Sequence, residues 1–162
     1  MQKIMKKMLI FLVGILVSAT GSTDTSQSMI LMGIVPAIQS IFVAPEEDAA
    51  DLNLSSGSVF GLRAAAITEI SNRAGGYIVT VASANGGILD GILTDDFLAY
   101  SLTYNGVAVG SLASATPVTI TDTSVKTTVQ GITKMLEINY SPGEDLHGDT
   151  YTDTLTFEII AK

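Results

Sequence analysis

Few side chains in this sequence are equipped for chemistry. His147 is the only histidine, and there is no cysteine. A cysteine nucleophile is therefore absent, and no Gly-x-Ser-x-Gly elbow occurs. The single imidazole, in the loop PGEDLHGDTYTD, reads as a solvated loop residue rather than a catalytic base. The same loop holds Glu144, Asp145, Asp149 and Asp153, hard oxygen ligands of the kind calcium takes. Their spacing matches no EF-hand loop, and acidic turn formation is the simpler reading. Asp95-Asp96 would be a carboxylate pair for glycoside hydrolysis, but two neighbours in an extended chain point apart.

Gly75-Gly76 and Gly86-Gly87 do not cradle phosphate. No lysine stands at the P-loop position, and no helix follows to aim its N-terminus at an anion. They read as turns. Without tryptophan, sugar stacking would fall to Tyr77, Tyr100, Tyr104, Tyr140 and Tyr151. No catalytic residue, no metal and no cofactor are assigned, and the chain is not expected to be an enzyme.

The elements that would position these residues are β-strands. Thr, Val, Ile, Ser and Gly dominate, and no long segment keeps an uninterrupted helical period. Strands are expected over Leu62–Ile70, Tyr77–Ser83, Tyr100–Tyr104, Pro117–Thr121, Lys134–Tyr140 and Asp153–Ala161, with a short one over Asp51–Leu54. Asn105-Gly106 is the strongest hairpin signal, because both central residues of that turn accept positive φ. Pro45–Asp48 reads as an acidic loop, and Asp95–Phe97 as a possible turn of helix. Met29–Val43 is an unusually apolar extended stretch. Pro36 denies it a ladder donor at its middle, which makes it an edge strand or two strands meeting at a bend. Roughly eight short strands with turns between them predict an all-β, immunoglobulin-like sandwich of about 7–9 antiparallel strands.

The first residues read as an address. Lys3, Lys6 and Lys7 precede the apolar run Met8–Val17, which falls short of the roughly 20 residues a membrane span needs. Val17-Ser18-Ala19 suits cleavage after Ala19, with Gly21 as the second choice and an uncleaved anchor as the alternative. The expected layout is a signal peptide over 1–19, a flexible polar leader over 20–28 and one β-sandwich domain over 29–162. Three of the eight basic residues leave with the signal, so five cations face sixteen carboxylates, a mature net charge of −11. Such a chain repels nucleic acid and anionic lipid, which excludes both as partners of the mature form.

Two segments carry a resemblance. One is Val35-Pro36-Ala37-Ile38 together with SNRAGGYIVTVASANGG over 71–87; the other is the ending GDTYTDTLTFEIIAK over 148–162. Together they resemble exported bacterial fimbrial-type β-sandwich domains, among them the spore coat protein U-like domain and the pilins of the alternate chaperone–usher class. The spore coat-like domains often carry cysteines, and this chain has none.

The resemblance implies a structural or adhesive surface subunit, carried by the Sec pathway of a Gram-negative bacterium to the periplasm and then the cell surface or beyond. It implies as partners other copies of the chain or related subunits, and a periplasmic chaperone. It also implies an incomplete sandwich whose missing strand comes from a neighbour. Ile30, Met32 and Ile34 fall on one face of Met29–Val35 and are the candidate contacts. Two readings stand: that segment is a donor strand for another subunit, or it is the domain's own first strand. The alternative function is a self-contained exported β-sandwich that binds glycan or calcium.

Overall fold

The computed structural model describes residues 26–55, 57–143 and 145–162. The signal peptide expected over Met1–Ala19, and the leader as far as residue 25, lie outside the described residues. The chain divides into two units after Ile34. Residues 26–34 contain no helix or strand, and all elements of the described residues lie in Val35–Lys162.

That second unit is all-β. Its strands are β1 (Gln39–Pro45), β2 (Val59–Ser71), β3 (Tyr77–Ser83), β4 (Ile88–Gly91), β5 (Phe97–Tyr104), β6 (Val107–Ala108), β7 (Val118–Thr123), β8 (Ile132–Tyr140), β9 (Tyr151–Thr152) and β10 (Leu155–Ala161). A single helical turn, α1, spans Glu47–Ala50. The larger sheet runs β1-β2-β8-β5-β4-β9, with β6 beside β5, and the smaller runs β10-β3-β7. All strand pairs are antiparallel.

Period-two patterning builds both sheets. In β2, Ala65, Ile67, Glu69 and Ser71 are buried, and Ala64, Ala66, Thr68 and Ile70 between them are half-buried. In β3 the inward set is Tyr77, Val79, Val81 and Ser83, all buried. In β8 it is Leu136, Ile138 and Tyr140. β-branched and aromatic side chains suit such a half-buried pleated surface. The core is therefore the space between the sheets, filled by Ile67, Leu89, Leu98, Leu102, Leu136 and Ile138 from the larger sheet.

Turns fall where positive φ is supplied. Asn105 (φ 50°) and Gly106 (φ 80°) close the β5–β6 hairpin. Gly76 (φ 85°) enters β3 against the Thr123 backbone, where a Cβ would collide with the carbonyl.

Several expected elements shift. Asp51–Leu54 forms no strand, and of the expected acidic loop Pro45 ends β1 while Glu47 and Asp48 belong to the helical turn Glu47–Ala50. Asp95–Phe97 has no helix; Phe97 already begins β5. Only the later part of Met29–Val43 is a strand, and β1 begins at Gln39.

Candidate functional site

On one side of the sandwich both sheets end in an edge strand. β1 ends the larger sheet, β10 ends the smaller, and the two lie against each other. Val43 pairs directly with Ile67, so both side chains share the inward face. Ile67 is wholly buried, yet Val43 is 42% exposed. The same contrast runs along β10. Phe157 and Ile159 sit opposite the fully buried Val81 and Val79, and all four inward residues of β10 stay half-exposed.

Between these strands opens an apolar cleft of about 290 Å³. Its walls are Val43 and Pro45 of β1, Leu155 and Phe157 of β10, and Ala49 of α1. Its floor reaches the core residues Leu102, Leu136 and Ile138. A sheet edge of this kind has free N–H and C=O groups beside exposed apolar side chains. The buried Gln39 Nε2, on the same face of β1 as Ile41 and Val43, has no hydrogen-bond partner.

The described residues also include an apolar segment of strand length, Met29–Val35. Met29, Ile30, Leu31, Met32, Ile34 and Val35 are 79–92% exposed, and residues 29–35 belong to no strand. The candidate contacts Ile30, Met32 and Ile34 are thus accessible. Met29–Val35 is not the first strand of the domain: that strand is β1.

The most concentrated polar chemistry lies inside the sandwich. Glu69 on β2 is fully buried and accepts hydrogen bonds from Tyr77 Oη (2.9 Å), Tyr104 Oη (2.7 Å) and Thr121 Oγ1 (2.7 Å). Lys134 Nζ completes the shell at 2.8 Å, donates to Thr121 Oγ1 at 2.7 Å, and stands over the Tyr104 ring. Burial alone would raise the Glu69 carboxyl, but Lys134 and the three hydroxyls outweigh it and hold it below its usual range. Burial and then the Glu69 carboxylate push the Tyr77 and Tyr104 phenols well up.

These five residues come from both sheets: β2, β5 and β8 on one side, β3 and β7 on the other. They form an inter-sheet tie in which both oxygens of the carboxylate are occupied. The sequence reading passed over Glu69 and Lys134. The available signal was parity: each falls on the same alternate positions as the apolar residues of its strand.

Of the four loop residues considered for calcium, Asp149 and Asp153 accept hydrogen bonds within the fold. Asp149 Oδ2 accepts from Leu93 N (2.7 Å), Thr94 N (2.9 Å) and Thr94 Oγ1 (3.0 Å). These bonds, with that from Thr150 N, keep its carboxyl low despite some desolvation. Asp153 accepts from Ser83 Oγ and Tyr100 Oη, each at 2.5 Å, and from Asn85 N and Thr154 N. Asp145 is exposed, and Glu144 lies outside the described residues. Among the described residues no group of three or more acidic or histidine side chains is arranged to hold a metal ion.

His147 is a loop residue, but not a free one. Its backbone N (2.9 Å) and Nδ1 (2.7 Å) both meet Asp96 Oδ2, the backbone bond first holding that carboxyl below its usual range. Asp95 is exposed and takes no part, so Asp95-Asp96 does not converge as a pair. Tyr77, Tyr104 and Tyr140 are buried, and Tyr100 and Tyr151 are half-buried with their hydroxyls engaged. A larger depression of about 1040 Å³ lies between α1 and the 142–153 loop and shares Leu52, Leu89 and Asp153 with the apolar cleft. No helix among the described residues is long and apolar enough to cross a membrane.

Comparison with protein-family models and with curated proteins found no match to this chain.

Proposed function

We propose that this chain is an exported structural subunit of fimbrial type, in which Met29–Val35 of one copy completes the sandwich of the next. The observation that carries this reading is the cleft between β1 and β10. It is an apolar gap beside two sheet edges, lined by inward-facing side chains that stay partly exposed among the described residues. An apolar extended segment in the same chain has the complementary character, and strand addition at an open edge joins backbone hydrogen bonds to side-chain pockets. Ile30, Met32 and Ile34 enter the cleft, and Gly33 lets the backbones approach closely. The role is structural or adhesive rather than enzymatic. Periplasmic passage calls for a chaperone that covers the same edge until assembly.

The test uses the mature chain from Thr20 onward. It is expected to form ladders of multimers that survive mild denaturant. The triple change Ile30→Asp, Met32→Asp and Ile34→Asp is expected to leave a folded monomer. A wild-type chain that stays monomeric at high micromolar concentration sinks the proposal.

A further inference from the structure

In sequence, the donor segment of the mature chain comes just before β1, one wall of the cleft. Met29–Val35 is separated from β1 only by residues 36–38. A segment tethered so closely has an effective concentration on the order of millimolar, roughly a thousandfold above a micromolar supply of other copies. Unless something prevents it, each chain closes its own gap by folding 29–35 back along the free edge of β1, and no assembly follows.

The structure contains an obstacle at the position where that hairpin would turn. Asn72, just past the end of β2, clamps the three connecting residues. Its Nδ2 donates to Pro36 O (2.7 Å), its Oδ1 accepts from Ile38 N (2.7 Å), and its backbone N donates to Ile38 O (3.1 Å). These bonds continue the β1–β2 ladder past its last pair, Gln39 with Ser71, and keep residues 36–38 out of any turn. Pro36 adds to this. Its ring fixes φ near −65° and biases Val35 toward extended conformations. A three-residue hairpin needs a left-handed residue and a sharp reversal, which breaks the Pro36 and Ile38 bonds.

We infer that Asn72, together with Pro36, is a positioning device that blocks self-complementation and so reserves the cleft for a second copy of the chain. The inference rests on the strand-complementation reading above and adds what makes it intermolecular. The hydrogen bonds of Asn72 go to Pro36 and Ile38, between the donor segment and β1. It acts through the direction it imposes on the connecting residues.

The experiment compares the mature chain with a variant carrying Asn72→Ala, Pro36→Asn and Ala37→Gly, which removes the clamp and installs a hairpin-forming Asn-Gly. The multimer fraction is expected to fall by roughly tenfold or more. The resulting folded monomer is expected to show hydrogen-exchange protection across 29–35. In freshly refolded wild-type monomer the Ile38 amide is protected while 29–35 exchange freely. If the variant polymerises as the wild type does, the device is wrong and strand complementation stands. Protection of 29–35 in the wild-type monomer likewise overturns the device. A wild-type chain that never multimerises removes both. Should the triple variant fail to fold, the wild-type exchange measurement still decides.

Discussion

At the residue scale the decisive group is Glu69. A fully buried carboxylate is tolerable only when its lone pairs are met, and here three hydroxyls and one ammonium meet them. Glu69→Ala leaves Lys134 and three hydroxyls without their acceptor. It is expected to lower unfolding free energy by about 3–5 kcal/mol, read from denaturant melts. Tyr77→Phe removes one bond and should cost about 1 kcal/mol. The pH dependence has a definite sign at each end. The folded Glu69 carboxyl sits below its ordinary 4.5, so its contribution is complete above that pH and fades as pH falls through the lower folded value. The Tyr77 and Tyr104 phenols sit above their ordinary 10.0, so their contribution is complete below pH 10 and fades as pH rises beyond it. Spectrophotometric titration should show Tyr77, Tyr100 and Tyr104 ionising only as the chain unfolds. None of this tie was read from the sequence, because a lone Glu or Lys in a strand looks like a solvated face. Its meaning comes from residues far apart in the chain.

At the scale of elements, most strands were legible and the edges were not. Tyr77–Ser83 matches β3 residue for residue, because seven alternating residues between glycine turns leave no other solution. β2, β7, β8 and β10 lie close to where alternation put them. β4 was missed: four residues with Asp90 and Gly91 among them carry too little pattern. Met29–Val35 misled in the other direction, since apolarity signals a need for burial without saying who supplies it. Expected and found strands therefore differ most over that apolar segment, where β1 begins only at Gln39. The cleft offers a matching prediction. Val43 is already 42% exposed, so Val43→Glu should change the monomer's stability by less than about 1 kcal/mol. In a mixture with wild type it is expected to accept no donor segment, which native gels would show as chain termination.

For the whole molecule, which has no cysteine, the sheets are held together by the packed core, the Glu69 tie and the Asp153 bridge between Ser83 and Tyr100. The inward residues of β1 and β10 stay partly exposed all the same. The stability of such a domain is linked to whatever fills the gap, so its melting temperature should rise with protein concentration through mass action. A scan over two decades of concentration checks this, and a flat profile would mean that the unfilled sandwich is its own most stable state. Fold class was readable from composition and alternation. The gap was not, since it is defined by the burial that inward residues fail to reach.

The clamp at Asn72 also has a mechanical side. In a fibre of such subunits, tension enters each domain at Pro36 and is handed at once to β1, with no slack chain between. β1 and β2 are antiparallel and matched over seven pairs, from Gln39 with Ser71 to Pro45 with Ala65. A pull along β1 from its Pro36 end loads all of those pairs in shear instead of peeling them one by one. Force-extension curves on linked subunits should then show high, narrow rupture peaks, and Asn72→Ala should add a short compliant step before each.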